Sequence, residues 1–180
     1  MSELTRRSLL GSFGYLAASR VLLGQAGAPP IRVRSLNHMT LAVADPARSQ
    51  QFYQGLFGLP VQARQGATPV LRIGFGPQFV ALNKVGSNAK PGIHHFCMTV
   101  DNFDSEWILK TLAAHGVTKT DAASTDPLKV WVRVRREDTG GAKEGTPELY
   151  FTDPDGLLLQ LQDVKYCGGA GLLGEVCLGG

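Results

Sequence analysis

The chain has 180 residues, 43% of them hydrophobic and 18% charged, which suits one compact folded core and excludes a low-complexity or disordered chain. Its formal charge of +3 owes much to Arg6, Arg7 and Arg20, and no basic stripe follows them, so no nucleic-acid partner is expected. No apolar run is long enough for a stable membrane span.

Residues 1–28 read as a targeting segment, because "LTRRSLLGSFGYLAASRVLLGQAGAPP" passes from paired arginines through an apolar stretch to small residues. This layout resembles a twin-arginine export signal and implies a periplasmic or extracellular location. Cleavage after Ala26 or after Ala28 fits the small residues. An amphipathic helix kept in the mature protein is the other reading.

The next stretch, "HMTLAV", alternates as a strand does: Met39, Leu41 and Val43 share one face, His38, Thr40 and Ala42 the other. A helix follows, capped by Asp45 with Pro46 in its first turn and stopped by Gly58. Phe52, Leu56 and Phe57, with Tyr53 beside them, are expected to be its core-facing residues. Three strand-like runs come next: "PVQAR", "PVLRIGF" and "QFVALNKV". "GSNAKPG" is a linker.

The chain then repeats itself. In "GIHHFCMTV", Phe96, Met98 and Val100 form the apolar face, and His95, Cys97 and Thr99 the other. His94 is expected on the face opposite His95, packed against a helix. Asp104 caps a second helix with Trp107, Ile108, Leu112 and Ala113 as its apolar stripe, His115 at its end and Gly116 as its stop. "KVWVRVRRE", "ELYFTD" and "LLLQLQD" are the strands that follow, separated by turn-rich loops. Asp153 and Asp155 read as turn formers. Arg133 and Arg135 alternate with Val130, Val132 and Val134, so they either face a cleft or are solvated. Each half therefore reads βαβββ, over about 33–85 and 91–163, an α+β arrangement whose two sheets join into one curved sheet.

Residues 164–180 form a Gly-rich tail. In an oxidising compartment Cys167 and Cys177 could close a loop of about ten residues, worth ~2–3 kcal/mol. Two free thiols are the alternative.

Three stretches, "NHMTLAVAD" with "FYQGLFGLPV", "GIHHFCMTVDNFD" and "YFTDPDGLLLQLQ", carry a resemblance to the vicinal oxygen chelate superfamily. That group includes glyoxalase I, fosfomycin-resistance enzymes, extradiol dioxygenases and bleomycin-binding proteins. The resemblance covers about 33–163 and implies paired βαβββ modules forming a half-open barrel, with helices outside and the site on the concave face. Carried over residue by residue, it places metal ligands at His38, His95 and Gln160. Glu is the common residue at the last of these, so Glu148 on the neighbouring strand is the substitute candidate. The equivalent place in the first module is about Leu82, which cannot bind a metal.

The resemblance further implies a divalent metal ion (iron(II), manganese, zinc or nickel) acting as a Lewis acid on a small oxygen-rich substrate. Glu148 and Tyr150 are the candidate bases. Thr40, Cys97, Thr99, Arg133 and Arg135 are the substrate-binding candidates. An exported dioxygenase, lyase or isomerase, in a possible homodimer, is the first reading. A metal-free protein that sequesters a small molecule in the same cleft is the second: Leu82 and Gln160 favour it, and His38 and His95 oppose it.

Overall fold

The computed structural model describes residues 28–169. The export signal expected over 1–28 and Cys177 of the proposed disulfide lie outside the described residues, apart from Ala28. All regular elements among the described residues fall within the compact unit that begins at Ile31.

The first module runs β1 (Val33–Val43), α1 (Pro46–Phe57), β2 (Val61–Gln65), β3 (Thr68–Arg72) and β4 (Phe79–Lys84). The second runs β5 (Gly92–Val100), α2 (Ser105–Ala114), a two-residue strand β6 (Thr118–Lys119), β7 (Lys129–Arg135), β8 (Thr146–Thr152) and β9 (Leu158–Asp163). The nine strands form one sheet in the order β2-β3-β4-β1-β5-β9-β8-β7-β6. The α+β fold with two βαβββ modules is therefore as the sequence implies. The additions are β6 and a 3-10 turn at Glu137–Thr139. No helix among the described residues is long and apolar enough to cross a membrane.

Local chemistry explains the helix boundaries. Asp45 Oδ1 accepts from the backbone N–H groups of Ala47 at 2.9 Å and Arg48 at 3.1 Å, and Asp104 Oδ1 does the same for Glu106 and Trp107. Each carboxylate satisfies donors that the first helical turn leaves unpaired. Gly58 ends α1 at φ 67°, a left-handed conformation that suits glycine.

The two helices bury different amounts. From α2, Ile108 and Leu112 enter a core with Val100, Val130, Leu149 and Leu161, each worth ~1.5–3 kcal/mol if fully buried. The expectation for α1 is corrected: it buries no residue. Phe52, Leu56 and Phe57 are 58%, 61% and 61% exposed. Of the α1 aromatics only Tyr53 packs against the outer cluster of Leu71, Val80 and Leu82, beside Leu41, Val43, Leu59 and Val61.

The centre of the sheet sets the site. β1 and β5 are antiparallel neighbours, with His38 opposite Cys97 and Thr40 opposite His95. Each histidine thus faces the residue two places beyond the other, as a twofold relation between the modules requires. The register then jumps, since Leu41 pairs with Ile93 and His94 has no partner. This β-bulge corrects the expectation for His94. An extra residue in one strand breaks the simple alternation and re-aims the side chain. His94 is exposed, and its ring meets that of His95 edge-on at 5.0 Å.

The proposed Leu82 equivalence is also corrected. Cys97, two residues after His95, pairs with Gln160, whereas Thr40, two residues after His38, pairs with Ala81. Leu82 points to the outer core with Leu71 and Val80. A one-residue slip in a strand moves a side chain to the other face.

Beyond β9 the chain turns back over the concave face of the first module. Gln62 Nε2 donates to the Cys167 carbonyl at 2.6 Å, Gln65 Nε2 to that of Gly168 at 2.8 Å, and Asn37 Nδ2 to that of Tyr166 at 2.9 Å. Tyr166 and Cys167 are buried.

Candidate functional site

His38 and His95 both lie on the concave side, buried, with ring centroids 5.5 Å apart. His38 stacks on Phe79 at 4.2 Å. Its tautomer follows from its neighbours. Asn37 uses its Nδ2 on the Tyr166 carbonyl, so Asn37 Oδ1 is the acceptor facing His38 Nδ1 at 2.8 Å. His38 Nδ1 therefore carries the proton, and its Nε2 keeps a lone pair. A histidine fixed through its second nitrogen in this way has the support that metal-ligating imidazoles usually have.

His95 Nε2 lies 3.0 Å from Gln160 Oε1 and 3.3 Å from Thr40 Oγ1, while its Nδ1 is 2.8 Å from His94 Nδ1. Two proton arrangements satisfy these contacts. With the proton on Nε2, His95 donates to Gln160 and accepts from His94. With it on Nδ1, His95 donates to His94, and its Nε2 and Gln160 Oε1 become two acceptors suited to a shared cation. Gln160 also lies close enough to His38 to hydrogen-bond with it. Its Nε2, fully buried, has no partner among the described residues.

Both imidazoles are held neutral. Burial lowers the His38 pKa well below its ordinary value, reinforced by His95 and by the Arg135 guanidinium. Burial first, and then His94, brings His95 down to about 4. Burial, followed by Arg133, lowers His94.

The wall beside the histidines is charged. Glu148 on β8 is 0% exposed and bonds two guanidinium groups, Arg133 Nε at 2.8 Å and Arg135 Nη2. Tyr166 and Tyr150 hydroxyls donate to the same carboxylate at 3.2 and 3.3 Å. Tyr150 also accepts from Arg133 at 3.0 Å and stacks on Trp131 at 5.8 Å. Burial, then Glu148, raises the pKa of both tyrosine hydroxyls, so they keep their protons. Glu148 is thus committed to the arginines and tyrosines, which leaves it poorly placed as a third ligand or a base.

The remaining candidates divide. Thr40 touches His95, and Arg133 lines the cleft. Cys97 is buried with its thiol pKa pushed up by burial and by Glu148. Thr99 is buried and spends its hydroxyl on Ser35 at 2.9 Å. Neither is part of the lining of the cavities that His94, His95 and Arg133 border among the described residues. Asp153 is a turn former, its Oδ1 accepting from Asp155 and Leu157 N–H groups at 2.9 and 2.8 Å. His115 bonds the Thr111 carbonyl at the end of α2.

A cavity of about 370 Å³ opens above His95, lined by His94, Trp131, Arg133, Tyr150 and the 123–125 loop. Sequence reading missed Asn37, His94 and Tyr166 as parts of this region. The signal for Asn37 was present, since it precedes His38 directly. Nothing in the alternation pointed to Tyr166, which reaches the site from beyond the last strand.

The model of the Glyoxalase/Bleomycin resistance protein/Dioxygenase superfamily matches residues 35–161. The chain belongs to that superfamily. It is 30% identical over 132 residues to the glutathione transferase FosA of Serratia marcescens, covering 72% of this chain and 80% of that protein. In fold it resembles the 2,3-dioxygenase LapB of Pseudomonas sp. KL28, at TM-score 0.52 and 19% identity, over 77% of this chain and 43% of that one. It likewise resembles the Mn(II)-bound glyoxalase of Novosphingobium aromaticivorans, at TM-score 0.52 and 19% identity, over 74% of this chain and 40% of that one. The chain thus spans less than half the length of these two superfamily proteins.

The donor set fits a divalent ion. Neutral imidazoles and an amide oxygen are accepted ligands, and Gln160 Oε1 stands 3.0 Å from His95 Nε2, although no group of three or more His, Cys, Asp or Glu gathers among the described residues. None of the three donors carries negative charge, and Arg135 stands close enough to act on both imidazoles. The carboxylate balance that such an ion usually receives is missing from its immediate neighbours.

Proposed function

We propose that the protein is an exported metal-dependent enzyme acting on a small oxygen-rich molecule in the cleft above His95. The observation that carries this is the convergence of His38, His95 and Gln160 from β1, β5 and β9, with the second nitrogen of each imidazole already occupied. These three residues would hold the ion, which supplies Lewis-acid polarisation of substrate oxygens when bound. Iron(II), manganese, zinc and nickel are the ions to test.

The chain's own contributions are positional. Arg133 presents its guanidinium to the cavity wall, and Tyr150 and Trp131 give it an aromatic surface. Glu148 fixes both arginines. His38 and His95 stay neutral and so keep lone pairs for a ligand. The FosA likeness suggests a transferase. Export, which rests on the paired arginines of the sequence, turns the reading toward a ring-cleaving dioxygenase or a lyase, because glutathione is mainly a cytoplasmic thiol. A Cys167–Cys177 disulfide and a homodimer belong to the same proposal; alkylation before and after reduction tests the first, and sedimentation the second.

Metal analysis of untagged protein, with calorimetric titration of the four ions, is the test. One ion per chain, lost in His38→Ala and His95→Ala, is expected. Wild-type affinity no better than that of His38→Ala for every ion would sink it. A second reading, a metal-free binding protein, is favoured by the buried Arg135 beside two neutral imidazoles and by the engagement of Glu148. It is the reading that remains if the titration fails.

A further inference from the structure

A second cavity, of about 570 Å³, lies on the other side of Arg133. Asn83 and Arg133 line both cavities, so the two adjoin as neighbouring lobes. This lobe gathers Lys84 from the end of β4, Arg133 and Arg135 from β7, and Arg136 just beyond it. Against these stand Asp138 in the lining and Glu148 behind it. Two positive charges are left unbalanced. Neither Lys84 nor Arg136 has a carboxylate partner among the described residues.

An exposed basic cluster alone would be an ordinary solvated surface. Arg135 makes this one different. Its side chain is only 7% exposed, its Nη2 is held by Glu148 and by the Tyr166 hydroxyl, and its buried Nη1 has no acceptor. Leaving a buried guanidinium donor unmade is costly, so the lobe is short of an acceptor. A guanidinium whose fork is fixed on one side and lacks an acceptor on the other suits a planar or tetrahedral oxyanion.

We infer that this lobe binds an oxyanion group, a carboxylate or a phosphate-type acid, carried by the small molecule whose remainder lies over Tyr150 and His95. The inference rests on the reading of the cleft as a small-molecule site, but not on a bound metal. Arg133 stands at the junction, where its Nη2 already touches both Glu148 and Tyr150. An anionic ligand held by this lobe would bring to the cleft the negative charge that the histidine site itself lacks.

The test uses full-length protein freed of metal by a chelator and titrated calorimetrically with phenylphosphonate, benzoate and neutral benzamide. The double variant Lys84→Met/Arg136→Met removes two exposed charges that make no ion pair, and circular dichroism verifies its fold. At least one of the two acids should bind, benzamide should bind at least about tenfold more weakly, and the double variant should lose about tenfold in affinity for the acid. Lys84→Arg/Arg136→Lys should restore it, and added salt should weaken the wild type. Benzamide binding as well as the acids, no acid binding, or a double variant equal to wild type would each overturn the inference. Because the protein is metal-free, failure of metal binding leaves this result intact, and the two proposals can fail separately.

Discussion

In the first module the concave face of β3 and β4 presents Val70, Phe79 and Ala81, which pack with Tyr166. The matching face of β7, β8 and β9 in the second presents Arg133, Arg135, Glu148, Tyr150 and Gln160. The outer faces do not differ in this way: both are apolar, one built on Leu71, Val80 and Leu82, the other on Val100, Leu149 and Leu161. Folding constrains the outer face of each module alike, because that is where the sheet has its apolar core. The inner face is freer, and here one arm became a packed wall while the other took the charges. His38 and His95 stand on the two central strands and belong to both.

The sharpest way to break this contrast is to remove the charge at the centre of the second arm. Glu148→Ala leaves Arg135 buried without its carboxylate, and Arg133 without its anchor. Losing one partner of a buried pair costs about 3–5 kcal/mol. Urea unfolding should show that loss directly. A change below ~1 kcal/mol would mean that solvent reaches the pair and that the second arm is no more charged inside than the first.

A somewhat smaller effect is expected from acid, and it tests the part the modules share. His95 has its pKa lowered to about 4 from an ordinary 6.5, and His38 moves in the same direction. Between those values the unfolded chain binds more protons than the folded one, so stability rises with pH there. The metal-free protein should be insensitive to these groups above about pH 6.5, and His95 should cost ~3 kcal/mol of stability as pH falls toward about 4, with His38 acting in the same direction. Replacing His95 by Gln should flatten that slope in urea melts at several pH values. An unchanged slope would show that the histidines are not buried neutral.

Much of this was legible from residue order, for a physical reason. The repeat of "HMTLAV" in "HFCMTV" fixed both histidines to one face, because period-two alternation leaves little choice once one face is apolar. The same logic failed at His94, where a bulge breaks the period, and at Leu82, where one residue of register decides the face. The placement of Phe52, Leu56 and Phe57 failed because helical spacing says which residues share a side, not whether the sheet has room for them. Glu148 was legible as facing the cleft. That two arginines would claim it was not, since a cross-strand pair such as Arg133 with Glu148 exists only once the register is known. The C-terminal segment was the least legible, because composition alone gives glycine-rich residues no reason to dock.

That segment offers a way to sharpen the contrast from the first module's side. Gly168 has φ 82°, and a Cβ there would lie 2.9 Å from both Phe79 and Val70 side chains. Gly168→Ala therefore combines a disfavoured backbone with a tight contact, and should cost ~1–3 kcal/mol. The readout is a lower melting temperature together with altered accessibility of Tyr166 to chemical nitration. If the segment is a true wall of the first arm, both should change. Unaltered melting and nitration would leave the first arm apolar without any need of its cover.

The smallest expected effect concerns the one position where the second arm departs from its own superfamily resemblance. Gln160 gives an amide oxygen where a carboxylate is common, while its equivalent in the first arm, Ala81, gives nothing. Gln160→Glu keeps the length of the side chain and adds a charge among two neutral imidazoles. In the absence of metal that charge would favour protonated histidine, so the comparison must be made at neutral pH or above, where both imidazoles are free to ligate. There the new carboxylate should tighten binding of at least one of manganese, iron(II), zinc and nickel by roughly tenfold, or ~1.4 kcal/mol. Gln160→Leu should weaken it, since only His38 and His95 would remain. Calorimetry of the three proteins side by side decides the matter. If Glu at this position binds no ion better than Gln does, then Arg135 sets the field at the histidines more strongly than its neighbours on β9, and the second arm is built to receive an anion alone.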